Sequence, residues 1–344
     1  MKLDKTTMSK IWSKWNAKNE NKKLRKGETM RTRNFTHKAL LVLVAIVSGS
    51  LTLEGRKPSP AASVPVSLVV SAEARHGGDV PLITPDEVRV YQGRDRVQVA
   101  DWIPLRGDRA ALELFVLLDD GASPSIGSQF DDLRAFMLLQ PDTTMVGVGY
   151  MRDGTVDITQ APTIDHAAAA SSLRLPLGNG GAFSSIYLSL SDLIKRWPAS
   201  PARHEILVIS DGIDYFGGSG PVNSYVDTLI DDAQKAGVLI HAIYANGVGH
   251  YARSYWRMYW GQNFLSRVAD ETGGEAYFLG YETAVSFSPY LSDLMRRLNN
   301  QYLLLFVPKP MKKGGFTSVK VKSEIPKVEL VSASRVYVPP SPEM

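Results

Sequence analysis

The chain has 344 residues, 44% of them apolar, no cysteine and a formal net charge of +4. That length gives room for one substantial core or two modest domains, and the lack of cysteine excludes disulfide stapling and lipid attachment through a thiol. The charge is uneven: residues 1–38 carry twelve Lys and Arg against three Asp and Glu, leaving −5 on the remainder, and a mildly acidic body excludes nucleic acid as the expected partner.

In chain order, the basic leader runs into the apolar stretch Ala39 to Val47, then Ser48, Gly49 and Ser50, then Leu51 to Leu53. About fifteen apolar or small residues match the core of a secretory signal, because a spanning helix needs about 20. Two outcomes stand. Cleavage after Ser50 or Ser63 would give an exported protein, periplasmic or extracellular; an uncleaved segment would anchor it in the inner membrane, the one membrane attachment expected. Met30 as initiator would give a leader of ordinary proportions. Residues 1–53 thus read as leader or anchor, and 54–65, rich in proline, as a linker.

Val66 to Ala72, Glu87 to Tyr91 and Val97 to Pro104 are short β-rich runs separated by glycine-containing turns; they predict a small β-rich lead-in over 66–110. From Leu112 strand and helix patterns alternate through an expected α/β unit, 111–310. Leu114 to Leu118 is a buried strand, Gln129 to Gln140 a helix, and Met145 to Met151 a strand. Arg152-Asp153-Gly154 then turns into an antiparallel edge strand, Thr155 to Thr159. Helices follow at Ser184 to Trp197 and Ser224 to Ala236, with strands at Glu205 to Ile209 and Val238 to Tyr244. Helices near Asn263 to Thr272 and Pro289 to Asn300, and a strand Tyr302 to Val307, complete the unit. Val319 to Val321 and Val328 to Val338 form a closing pair within 311–344. The fold class expected is α/β: a doubly wound, mostly parallel sheet with one antiparallel edge strand, preceded by the β-rich lead-in.

Two of the buried strands end abruptly in carboxylates and small residues. Leu114-Phe115-Val116-Leu117-Leu118 runs into Asp119-Asp120-Gly121-Ala122-Ser123, and Glu205-Ile206-Leu207-Val208-Ile209 runs into Ser210-Asp211-Gly212. The carboxyl ends of parallel strands are where open α/β sheets bind ligands, and carboxylates with hydroxyls suit a hard divalent cation. After the third buried strand, residues 250–260 hold five aromatics and two arginines, the composition of a binding hot spot. Tyr255, Trp256, Arg257, Tyr259 and Trp260 are the partner-binding candidates; the other reading is a loop that folds over the sheet edge and buries its own aromatics.

Enzymatic motifs fail residue by residue. Gly121-Ala122-Ser123-Pro124-Ser125 lacks the last glycine of a nucleophile elbow, Gly178-Asn179-Gly180-Gly181 lacks the lysine of a phosphate loop, and the six histidines show no metal-ligand spacing. His204 and His241 read as structural. A faint likeness to aspartate-based phosphatases, Mg-dependent enzymes, needs a second aspartate at position 121, where glycine stands. No catalytic residue is assigned and the chain is expected not to be an enzyme.

The residues quoted resemble a von Willebrand factor type A domain, more narrowly its form in exported bacterial proteins, over about residues 66 to 339. The resemblance rests on Asp119 with Ser123, on Gly180-Gly181-Ala182-Phe183-Ser184-Ser185-Ile186-Tyr187, on Ser210-Asp211-Gly212 with Asp214, on Thr272-Gly273-Gly274-Glu275-Ala276-Tyr277, and on Asn300 to Leu304. It implies a metal-ion-dependent adhesion site of Asp119, Ser123, Ser184 and Asp211 holding Mg²⁺ or Mn²⁺. The open coordination position would be filled by an acidic side chain of a protein ligand. Gly121 stands where the family has its first site serine, so the site reads as degenerate. A scaffold of an envelope complex with no metal role is the alternative.

Overall fold

The computed structural model describes residues 65–75, 78–181, 183–218, 220–249, 254–277 and 284–340. The expected leader and nearly all of the linker lie outside the described residues, as do Ala182 and residues 250–253. No helix among the described residues is long and apolar enough to cross a membrane.

The α/β unit is built on a six-stranded sheet. Its strands are β4 (Leu112–Asp119), β5 (Thr144–Arg152), β6 (Thr155–Thr163), β7 (Arg203–Ser210), β8 (Val238–Tyr244) and β9 (Ala276–Tyr277), in the order β6-β5-β4-β7-β8-β9. Every pairing is parallel except β5 with β6, so the expected mostly parallel sheet with one antiparallel edge strand is present. Every residue of β4 is buried, which is why its run is continuously apolar: both faces of a parallel sheet are covered by helices. The β5–β6 turn places Asp153 and Gly154 at φ 49° and 73°, the positive pair that a tight hairpin of matching twist requires.

Helices α1 (Phe130–Leu138), α2 (His166–Ser171) and α6 (Ser288–Asn299) pack on one face around Leu114, Val116, Leu118 and Val148. On the other, α3 (Ile186–Arg196), α4 (Ser224–Ala236) and α5 (Tyr255–Thr272) pack around Phe115, Leu117, Ile206 and Val208. The chain builds outward from β4 to β6, then returns to the other side of β4 to lay down β7. A crevice therefore opens at the carboxyl ends of β4 and β7, where the winding direction reverses.

A second, antiparallel sheet is larger than the lead-in expected. It contains β1 (Val66–Ala74), β2 (Val88–Gln92), β3 (Asp95–Pro104), β10 (Gln301–Val307), β11 (Gly315–Ser323), β12 (Val328–Ser332) and β13 (Arg335–Val338), in the order β12-β1-β10-β3-β2-β11-β13. Two expectations are corrected. The strand at 302–307 does not complete the α/β unit: it lies between β1 and β3. Tyr302, Leu304 and Phe306 enter the core of the antiparallel sheet, while Leu303 and Leu305 are half-buried on its other face. Nor do 319–321 and 328–338 pair as a closing hairpin. The second run splits at Ala333-Ser334 into β12, which pairs with β1, and β13, which pairs with β11. These two edge strands are separated by only two residues, so the sheet rolls up and its ends approach each other.

A third correction concerns α5, which begins at Tyr255 rather than near Asn263. The aromatic segment expected as a loop is helical over its last six residues.

Candidate metal centre

Asp119 is the last residue of β4, and Asp211 follows Ser210, the last residue of β7. The two strands are in parallel register through Leu118 and Ile209, so Asp119 falls opposite Ser210 and Asp211 follows at the crevice. Asp119 is 3% exposed and Asp211 2%. The Asp119 carboxylate accepts from the Gly121 amide at 2.7 Å and from the Ser210 hydroxyl at 2.7 Å. Asp211 accepts from the Ile213 amide at 2.8 Å and from the Tyr215 hydroxyl at 3.2 Å. Each of the four oxygens thus accepts one hydrogen bond from a neutral donor and keeps a further lone pair.

Burial pushes the Asp119 carboxyl up to about 6, with the charge of Asp120 adding to the effect. Asp211 is pushed up to about 8 by burial and then by the charge of Asp119 itself. Two carboxylates whose proton affinity burial raises, one of them raised further by the charge of the other, form a site that a proton or a cation relieves. The adjacent Asp120 is different. Arg174 grips it with Nη1 at 2.7 Å and Nη2 at 3.1 Å, the Leu177 amide donates to it at 3.1 Å, and Arg152 lies 3.8 Å away. Asp120 therefore holds the 174–180 loop against the sheet edge. Asp214 is likewise saturated by the amides of Phe216 and Gly217 and the side chain of Asn223.

The two serines stand differently. Ser184 joins the crevice through its backbone, its carbonyl accepting from the amides of Tyr215 and Phe216, both at 3.1 Å. Its Oγ lies only 2.1 Å from where a side chain on Gly180 would begin. Ser123 has its hydroxyl 2.9 Å from that of Ser125 and accepts from the Ser125 amide at 3.3 Å, capping the 3₁₀ turn Pro124–Gln129. The structure thus brings Asp119 and Asp211 close enough for the charge of one to act on the other, sets Ser184 against Gly180 and the 215–216 turn, and turns the Ser123 hydroxyl into its own cap. Among the described residues no group of three or more His, Cys, Asp or Glu is arranged to hold a metal; the expected site has two carboxylates and two hydroxyls.

The hydroxyl that bonds Asp119 directly is that of Ser210, which the motif reading passed over although parallel register places it opposite Asp119. Gly121 also has a local explanation. A Cβ there would lie 3.0 Å from Asp119 Oδ1 and 3.4 Å from the Gly180 amide nitrogen, so the 174–180 loop closes over the space of the missing serine side chain.

Helix α5 crosses this edge through glycines. A Cβ on Gly261 would fall 2.5 Å from the Asp211 carbonyl oxygen, and one on Gly212 would fall 2.3 Å from that of Gly261. The first turns of α5 therefore border the crevice, where burial and the charges of Asp211 and Asp119 push the Tyr215 hydroxyl up and Arg257 is near enough to oppose them in part. The partner-binding candidates divide by face. Tyr255, Trp256 and Tyr259 are 54%, 67% and 44% exposed. Trp260 packs inward, stacked on Phe264 at 6.2 Å, and Arg257 is half-buried. Sequence reasoning missed Phe183 and Phe216, both exposed and in edge contact at 5.4 Å; both lie within two residues of motif residues, Ser184 and Asp214. His241 and His204 are structural, as read: His241 meets Glu205 at 2.9 Å, and His204 stacks on Trp197 at 4.5 Å.

No family model matches the sequence and no curated protein matches it. Similar solved structures include an aerotolerance-related membrane protein of Bacteroides fragilis carrying multiple mutations to serine, at 14% identity and TM-score 0.40, covering 55% of this chain and 99% of that one. A von Willebrand factor type A protein from Catenulispora acidiphila is similar at 8% identity and TM-score 0.42, covering 81% and 74%. The corresponding domain of a type V pili tip protein from Porphyromonas gingivalis is similar at 10% identity and TM-score 0.38, covering 55% and 95%. Likenesses this distant carry no function, and the fold stands on the strand order described above; von Willebrand factor A domains are among these neighbours.

Proposed function

We propose that the chain is a non-enzymatic protein-binding module that captures an acidic side chain of its partner through a divalent cation, Mg²⁺ or Mn²⁺, at Asp119 and Asp211. The observation that supports this most is the pair of buried carboxylates at the reversal point of the sheet, bonded by neutral donors, both with proton affinity raised by burial and Asp211 further by the charge of Asp119. The residues fit a hard cation: carboxylate oxygens with a free lone pair, with the hydroxyl of Ser184, a residue held against the 215–216 turn, for a water-mediated or direct ligand. The cation supplies charge neutralisation and an open coordination position. The protein supplies a pre-set pair of carboxylates and a rim of aromatic side chains, Phe183, Phe216, Tyr255, Trp256 and Tyr259, that desolvates whatever docks beside it. In this reading the protein works outside the cytoplasm, exported or anchored by its leader.

Isothermal titration of the chain with Mg²⁺ and with Mn²⁺ tests the proposal. Saturable binding with a rise in thermal stability is expected, and its loss in Asp211→Asn; no heat and no shift at millimolar metal would overturn it.

A second reading draws on the bonds already made, since all four carboxylate oxygens accept donors and Ser123 caps its own turn. In that reading the module is an assembly scaffold of an envelope complex. Capture of partners from envelope extract separates the two, chelator-sensitive for the metal bridge and chelator-indifferent for the scaffold.

A further inference from the structure

The antiparallel sheet has two unlike ends. At one, the chain departs into the α/β unit after Pro104 and returns at Gln301. At the other, register gathers the start of β1, with Val66 opposite Phe306, and the start of β3, with Gln98 opposite Val307. The β2–β3 turn, with Gln92 opposite Asp95, and the 308–314 connection from β10 into β11 lie at this same end. The parallel sheet meets the antiparallel one through the amino ends of its strands, since Ala111, Arg203 and Val238 line a cavity in common with Val69 and Leu303. The crevice at the carboxyl ends of β4 and β7 is therefore on the edge turned away from the antiparallel sheet.

The second end is basic. Arg94, Arg96, Lys309, Lys312 and Lys313 are all exposed there. Across residues 91–98, 306–320 and 335–340 the one Asp or Glu is Asp95, and Lys309 engages it at 2.6 Å. Arg94, Arg96, Lys312 and Lys313 have no carboxylate partner among the described residues. In a chain whose net charge beyond residue 38 is −5, this is segregated charge, and a field of one sign gathered in one place draws a partner of the other. Residues 39–53, the expected leader or anchor, join β1 through residues 54–65, a stretch that spans at most about 40 Å. An uncleaved anchor thus holds the basic end within about that distance of the bilayer; the charge is present whether or not the leader is retained. Each Lys or Arg held at an anionic bilayer adds roughly fivefold to partitioning, an attraction that fades within a Debye length. We propose that this end of the antiparallel sheet docks on an anionic phospholipid surface through Arg94, Arg96, Lys312 and Lys313, leaving the crevice turned toward a partner. The docking end belongs to the antiparallel sheet and is independent of the metal reading.

The chain has no cysteine, so a single introduced one takes a fluorescent donor alone. In the full-length chain, Gln98→Cys labels the basic end. Val285→Cys labels the opposite edge, because Val285 is 99% exposed and its carbonyl accepts from Gln129 ahead of α1. Vesicles of phosphatidylcholine, alone or mixed with phosphatidylglycerol, carry a lipid-bound acceptor, and energy transfer is read on the vesicle-bound protein only. Transfer from the Gln98 position is expected to be higher on the mixed vesicles than on phosphatidylcholine, with the gain lost at high salt and absent at the Val285 position. The variant R94Q/R96Q/K312Q/K313Q is expected to lose that gain; should the four changes together disturb folding, R94Q/R96Q and K312Q/K313Q made separately should each reduce it. The leader is common to all these chains, so the difference between them reports the basic end. No gain on the mixed vesicles, an equal gain at both labels, or a gain retained in the neutralised variants overturns the proposal.

Discussion

Asp119 and Asp211 hold their protons more tightly in the folded chain than in the unfolded one, where a carboxyl titrates near 4. The folded state therefore binds more protons, and metal-free stability falls as pH rises from about 4 through the folded values of about 6 and about 8. Each carboxyl contributes a slope of at most about 1.4 kcal/mol per pH unit. Thermal unfolding of the metal-free chain between pH 5 and pH 8 is expected to show this decline, with millimolar Mg²⁺ flattening it. Asp211→Asn is expected to raise metal-free stability at pH 8 and abolish the metal response; a flat profile in the unsubstituted chain would show that the crevice is open to water. Gly121→Ser places a hydroxyl beside Asp119 with its Cβ 3.0 Å from Oδ1. The neighbours must give by a few tenths of an ångström, so the expected result is a small loss of stability with tighter Mg²⁺ binding in titration calorimetry.

At the scale of elements, α5 carries two opposed expectations in one residue. Helix propensity alone makes Gly261→Ala stabilising by about 1 kcal/mol. The contact with the Asp211 carbonyl, 2.5 Å from the added carbon, makes it destabilising by about 2 kcal/mol or more through displacement of the helix. A lowered melting temperature is expected, and a raised one would show that the helix does not rest on that loop. The same helix separates binding from packing: Tyr255, Trp256 and Tyr259 changed together to alanine should leave stability nearly unchanged and weaken partner capture, whereas Trp260→Ala should lower stability first. Why α5 was misread is physical. Its first turns alternate exposed aromatics with inward Met258 and Trp260, a pattern too aromatic to show a clean apolar stripe, and its N-cap Ser254 makes no side-chain capping bond. The parallel strands were legible because burial on both faces leaves an unbroken apolar run. The carboxylates were legible because they end those runs, while Ser210 became visible only once register placed it opposite Asp119.

Across the whole molecule, Arg297 ties the two sheets together. It bonds Glu73 on β1, Glu275 beside β9 at 2.7 Å and Asp293 on its own helix at 2.9 Å. Burial raises the proton affinity of both Glu73 and Glu275 against the pull of this arginine. Arg297→Ala leaves three carboxylates facing one another, and a loss of about 3–5 kcal/mol is expected from breaking a largely buried pairing. The loss should shrink as pH falls and protonation of Glu73 and Glu275, already favoured by burial, relieves the repulsion; a loss independent of pH would mean that packing by the arginine stem dominates. The rolled antiparallel sheet itself was not legible, because its seven strands come from two stretches of chain nearly two hundred residues apart and no local pattern records which distant strand each one meets. The chain leaves that sheet at Pro104 and re-enters it at Gln301, with Tyr302 paired directly with Pro104 across the β3–β10 ladder. Everything between is consequently a cassette, entered and exited through one doorway, and a short hairpin in its place would reseal the rolled sheet as a stand-alone barrel-like miniature.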